Sequence, residues 1–190
     1  MLAHYELYKS IVGLPGSVIE CGVFKAASLL RFCNFREVLE SPHSRKIVGF
    51  DTFGKFPDQD NALDQAFVRK FEAEASVGIS VEELTEVLTY KKHVNVELVQ
   101  GDICVTVPDY LDKHPELKIS LLHIDVDVYK PSAVILKHLY ERIVRGGVLV
   151  LDDYGTVEGE TRAVDEFFAA RSEVVEKLPI SHIPAFVRKR

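Results

Sequence analysis

Five short apolar runs, each with an acid or a glycine at or next to its end, constrain this chain more than any other feature. They fall at residues 17–23 (SVIECGV), 46–51 (KIVGFD), 94–102 (VNVELVQGD), 119–125 (ISLLHID) and 146–155 (GGVLVLDDYG). A strand with one wet face alternates apolar and polar residues. Most of these runs are apolar throughout, as central parallel strands covered on both faces are. Helical patterns intervene at 28–41, 61–76 and 132–144, and another follows at 161–172. Ser28 reads as an N-cap. Ser80 and Glu83 form a capping box that opens a further helix. AFVRK at 185–189 reads as a last strand. Strands separated by helices predict an α/β fold with a parallel sheet covered by helices on both faces. At 190 residues, with no repeat, low-complexity tract or linker, residues 1–190 are expected to form a single domain. The longest irregular stretch, 52–62, is a candidate lid.

Charge and cysteine content narrow the function. The net charge is −6, and no basic run of five or more residues occurs. That disfavours nonspecific nucleic-acid binding or an anionic membrane surface as a partner. The N-terminal residues lack the pattern of a signal peptide, and no apolar run has transmembrane length. Cys21, Cys33 and Cys104 are odd in number and lack a C-x-x-C spacing, which predicts a reduced, cytoplasmic setting with buried thiols.

Open α/β sheets bind ligands beyond the carboxyl ends of their strands. Here those ends carry Glu20-Cys21-Gly22, Asp51, Gly101-Asp102, Asp125 to Asp127, and Asp152-Asp153. Gly22 allows close backbone approach to a ligand. Asp51 is placed to accept both hydroxyls of a ribose, or else to cap the following turn. Asp102 is a candidate acceptor for an adenine amino group. If 119–125 and 146–155 are neighbours, about 4.8 Å apart, Asp125, Asp152 and Asp153 converge past the sheet edge. Three carboxylates without His or Cys suit a hard cation such as Mg²⁺ or Ca²⁺. His123 either faces that cluster or packs in the core. Asp127 stands one step further out, where it could take a proton from a substrate hydroxyl. Tyr129 and Tyr154 either flank the pocket or pack.

The segments ECGVFKAAS, GFDTFGKFP, QGD, LLHIDVDVYKPS, GGVLVLDDYG and RAVDEFF occur in the order used by the macrocin O-methyltransferase (TylF/MycF-like) family, which the chain resembles from about residue 16 to 170. The resemblance implies a Rossmann-like class I methyltransferase fold. Its sheet has seven strands, mostly parallel, and the last is antiparallel. It also implies S-adenosyl-L-methionine and Mg²⁺ as cofactors and a sugar hydroxyl on a small molecule as substrate. By position it makes Asp125, Asp152 and Asp153 the magnesium ligands and Asp127 the general base. Glu20 and Gly22 would lie at the cofactor's methionine end, Asp51 at its ribose, and Gly101-Asp102 near its adenine. Relatives usually carry glycine where this chain has Ala26 and Ala27, whose added methyl groups are expected to crowd the cofactor's tail; they also have more sequence before the first strand, which helps to cover the site. The expectation is a more open site, or one completed by a second subunit in a homo-oligomer. A catechol-type O-methyltransferase and a non-catalytic binding protein that kept the fold are the alternatives. A dehydrogenase is disfavoured by the missing glycine fingerprint.

Overall fold

The structure, a computed structural model, describes residues 1–190. Seven strands build one sheet: β1 Ser17–Cys21, β2 Ile47–Asp51, β3 Val96–Gln100, β4 Ile119–Ile124, β5 Ile143–Leu151, β6 Glu176–Lys177 and β7 Ala185–Arg188. Their order is β3-β2-β1-β4-β5-β7-β6. β1 to β5 pair in parallel, and β7 runs antiparallel to both β5 and β6. The expected topology is therefore present, including the antiparallel last strand.

Helices cover both faces: α1 Leu2–Lys9, α2 Ala27–Leu39, α3 Ala62–Ala75, α4 Val81–Tyr90, α5 Ile103–Lys113, α6 Tyr129–Leu139 and α7 Glu158–Phe168. Strand alternation sorts the core into two layers. Ile19, Leu122, Leu149 and Leu151 face α5, α6 and α7. Val18, Leu121, Val148 and Val150 face α1, α2 and α4. No helix is long and apolar enough to cross a membrane.

Several boundaries differ from expectation for physical reasons. α1 and α5 have no counterpart in the sequence reading; Pro108 sits in the middle of α5 and masks its helical pattern. α2 is preceded by Ala26 in the left-handed region (φ 60°), so Ser28 lies inside the helix and does not cap it. α6 starts at Tyr129, three residues earlier than the pattern suggests, and carries Pro131 in its first turn, where a missing N–H costs nothing. β5 starts at Ile143 and takes over the end of the expected helix. The Ser80–Glu83 capping box is present as read.

Candidate active site

The strand order reverses between β1 and β4, and a cleft opens beyond their carboxyl ends. A cavity of about 290 Å³ occupies it, lined by Gly22, Asp51, Asp102, Asp125, Asp127 and Asp153. Phe24, Phe56 and Phe71 form an aromatic wall on the side of the 52–62 segment. Behind it Asp64, buried on α3, accepts the backbone N–H of Tyr129 at 3.1 Å. This contact fastens α3 to the positive end of α6.

Gly22 has φ +89°, and a Cβ there would lie 1.7 Å from the Asp125 carbonyl oxygen. Its missing side chain thus lets the ends of β1 and β4 touch. Further along the same loop Phe24 and Ala26 also have positive φ. Alternating backbone of this kind aims N–H groups into a concavity that binds an anion. The anion here is Asp51: its Oδ2 accepts from Val23 at 2.6 Å and Phe24 at 3.0 Å, and its Oδ1 from Phe53 at 2.6 Å. Thr52 Oγ1 adds a contact to Oδ1 at 3.3 Å. Asp51 therefore lines the cavity while spending most of its acceptor capacity on the chain itself. Asp102 caps α5 through Cys104 N at 2.8 Å.

On the opposite wall the acids crowd one another. Asp127 has φ +63°, and the Val128 N–H donates to Val126 O across it, closing a γ-turn. Its own carbonyl accepts from Glu160 N at 3.0 Å. Burial, then the charge of Asp153, push the Asp127 carboxyl up to about 8. Burial and Asp152 push Asp153 up to about 6. Burial also holds Asp125 well above the usual carboxylate range. Glu160, fully buried in α7, accepts from Asp153 N at 3.2 Å, and burial raises its carboxyl too. Asp153 Oδ2 and Glu160 Oε2 are buried without a hydrogen-bond partner.

Asp152 does not line this cavity. Successive residues at a strand's end point to opposite faces. Asp153 enters the cleft, and Asp152 turns to the α1–α2 face. There its Oδ1 lies 3.3 Å from His4 Nε2 and 3.5 Å from His123 Nε2. Burial alone would raise Asp152, but both histidines outweigh it and hold the carboxyl below the usual range. Glu20, also fully buried, faces the same layer and meets His123 Nδ1 at 3.1 Å. Burial disfavours the imidazolium of His123, yet hydrogen bonds to Asp152 and Glu20 hold its pKa well above the ordinary value.

The sequence-predicted residues thus divide. Gly22, Asp51, Asp102, Asp125, Asp127 and Asp153 surround one cavity. Glu20 and Asp152 join a buried network with His123 and His4, and Gly101 supplies a turn with φ +140° at the rim. His4, Asp64 and Glu160 escaped sequence reasoning. No local pattern marks His4 or Asp64, whereas Glu160, an acid just N-terminal to the expected helix at 161–172, was a readable signal. All three cysteines are free thiols. Cys21 and Cys33 are buried, and burial pushes Cys33 up to about 12.

Comparison with known proteins agrees with this architecture. The family described as macrocin-O-methyltransferase (TylF) matches residues 7–189. The mycinamicin III 3''-O-methyltransferase of Micromonospora griseorubida is 27% identical over 152 residues, which are 75% of this chain and 56% of that protein. The chain thus spans little more than half the length of that relative. Among solved structures, the calicheamicin methyltransferase CalS11 superposes with a TM-score of 0.76 at 25% identity, covering 98% of this chain and 77% of that one. Its apo form, described as a TDP-rhamnose 3'-O-methyltransferase, gives 0.72 at 28% identity over the same shares. The O-methyltransferase NovP shares the fold, with a TM-score of 0.81 at 22% identity, over 98% of this chain and 77% of that one. With the family match running almost from end to end of a sheet in the expected strand order, the chain belongs to the TylF macrocin O-methyltransferase family.

Proposed function

We propose that this protein is an S-adenosylmethionine-dependent O-methyltransferase acting on a hydroxyl of a sugar, nucleotide-sugar or glycosylated natural product. The observation that carries the reading is the single cavity at the strand-order reversal, with Asp51 and Asp102 on one side and Asp125, Asp127 and Asp153 on the other. Asp102 keeps an oxygen for an adenine amino group. Asp51 orders the loop from Val23 to Phe24 against which a nucleoside would lie. S-adenosylmethionine bound here supplies the methyl group. CalS11, named a TDP-rhamnose 3'-O-methyltransferase, supports the substrate class.

The opposite wall fits a hard cation. Asp153 Oδ2 is buried and unpartnered, and the donor set facing the cavity is all oxygen. Asp125 and Asp153 would hold Mg²⁺, with Asp152 offering an oxygen from the adjoining face. A magnesium ion there supplies Lewis-acid polarisation of a hydroxyl. Asp127 lines the cavity beside them, fixed by its γ-turn and by Glu160 N. On this reading Asp127 accepts the hydroxyl proton.

Two variants separate these roles. Asp127→Asn should retain calorimetric binding of both Mg²⁺ and S-adenosylmethionine while turnover on nucleotide-sugar acceptors falls by about two to four orders of magnitude. Asp125→Asn should lose the metal together with activity. Absence of S-adenosylmethionine binding at millimolar concentration defeats the enzyme reading. If both variants keep the metal, or both lose it, the division of labour is wrong.

A further inference from the structure

Asp127 and Asp153 reach the cavity on two separate loops, one after β4 and one after β5. Both loops rest on a single residue that does not itself line the cavity. Glu160, in the first turn of α7, gives its backbone N–H to Asp127 O at 3.0 Å. Its side-chain Oε1 takes the Asp153 N–H at 3.2 Å. We propose that Glu160 is a positioning residue for methyl transfer, whose side chain ties the loop of the cation ligand Asp153 to that of the base Asp127 and so sets their spacing. The proposal rests on the roles given to those two acids above.

The fold brings Glu160 to this place from both sides. The carbonyl of Asp153 accepts from Thr156 N and Val157 N, each at 2.9 Å, and this turn carries the chain back so that α7 starts beneath the acid. With Oε1 on its N–H, the main chain of Asp153 is held at both its donor and its acceptor. On the other side Gly159 lets α7 press against the Asp127 turn. A Cβ there would lie 2.7 Å from Tyr129 N and 2.8 Å from Asp127 O.

Docking of α7 alone does not call for an acid. Glu160 is fully buried, and its Oε2 has no hydrogen-bond partner. A buried carboxyl left half-satisfied is costly. The buried neighbours Ala163 and Val164 pack the same helix without that cost. What the carboxyl adds is the acceptor for Asp153. Two carboxylates side by side repel, so neither Asp127 nor Asp153 can fix the other's place, and the constraint comes from outside the pair. The precision matters for rate: a misplacement of about 1 Å costs about 100-fold.

Two variants of the full chain test this. Glu160→Gln keeps an acceptor oxygen for Asp153 N. Glu160→Met fills similar space, offers no such acceptor and removes the buried carboxyl, so it should fold. Each is compared with the parent by amide hydrogen exchange, by calorimetric titration with Mg²⁺ and with S-adenosylmethionine, and by turnover on nucleotide-sugar acceptors. In Glu160→Met exchange should quicken across 152–157 and stay at the parent's rate in β1 and β2. Mg²⁺ affinity and kcat should each fall by about 10–100-fold, the usual loss when a ligand's supporting hydrogen bond is removed. S-adenosylmethionine affinity and acceptor KM should stay within about threefold of the parent, and Glu160→Gln should do so in every measurement. If Glu160→Met loses stability to denaturant but keeps the parent's Mg²⁺ affinity and kcat, the residue is only structural and the proposal is overturned. It is also overturned if Glu160→Gln falls as far as Glu160→Met, since charge and not the acceptor would then be at work. A parent that binds neither Mg²⁺ nor S-adenosylmethionine defeats the methyltransferase reading and the proposal with it, an outcome distinct from a working parent whose variants fail to differ.

Discussion

Gly22 and Ala26, four residues apart in one loop, both occupy positive-φ backbone, yet they should respond to substitution in opposite ways. At Gly22 a Cβ would meet the Asp125 carbonyl oxygen at 1.7 Å and its carbon at 2.6 Å. Neither is a side chain that can swing aside. Gly22→Ala should therefore push β1 and β4 apart at the cleft and cost at least about 2–3 kcal/mol, from overpacking together with backbone strain. Denaturant unfolding measures it, and a cost below about 1 kcal/mol would show that the strand ends part easily. Of the two alanines Ala26 and Ala27, it is Ala26 that sits at φ 60°, and it is fully buried. Ala26→Gly relieves the left-handed strain and should raise stability slightly, by up to about 1 kcal/mol. A clear loss of stability on the same assay would mean that the buried methyl group contributes more than the strain costs.

At the scale of elements, one carboxylate fastens α3 to the start of α6. Asp64 takes the Tyr129 N–H, and Asn61 both caps α3 and donates to Asp64 at 2.6 Å. Gly159 of α7 leaves room for this contact, since a Cβ there would lie 2.8 Å from Asp64 Oδ1. The aromatic wall of the cavity rides on the same element through Phe71. Asp64→Ala orphans a buried N–H and removes the pairing of a carboxylate with a helix dipole, a loss of about 1–3 kcal/mol. Amide exchange should then quicken across 61–76 more than in the sheet. Uniform acceleration over the whole chain would argue that Asp64 serves global stability and does not fasten one element.

Across the whole molecule, Arg45 ties remote segments beneath the sheet. Its guanidinium donates to the carbonyls of Ile11, Val12, Leu14 and Gly16, to Ser120 Oγ and to Glu40. The Arg45 and Glu40 side chains are only 4% and 6% exposed, and Tyr8 Oη donates to Glu40 at 2.7 Å. α1, the loop before β1, the end of α2 and β4 all meet at this group. Arg45→Ala leaves a buried carboxylate without its cation and should cost about 3–5 kcal/mol. Equilibrium unfolding tests this; a cost under about 1 kcal/mol would show that water replaces the guanidinium.

The sequence by itself determined six of the seven strands, the two-residue β6 excepted, the parallel pairing of the first five and the row of acids at their ends, because apolar runs and helix periodicity are local properties of the chain. It also placed Asp51, Asp102, Asp125, Asp127 and Asp153 near one another, since strand ends in a parallel sheet share one edge. What it left open is which way each carboxylate turns and what meets it. Asp152 and Asp153 are adjacent letters on opposite faces, a separation fixed by the pleat once β5 is paired. Glu20 finds His123 at a separation of 103 residues, and Asp152 finds His4 at 148. Asp51 takes amides from a loop that exists only when β1 and β2 lie side by side. Local pattern sets what is strand and what is helix; the orientation and charge of each acid are set by groups that only the folded chain brings within hydrogen-bond distance.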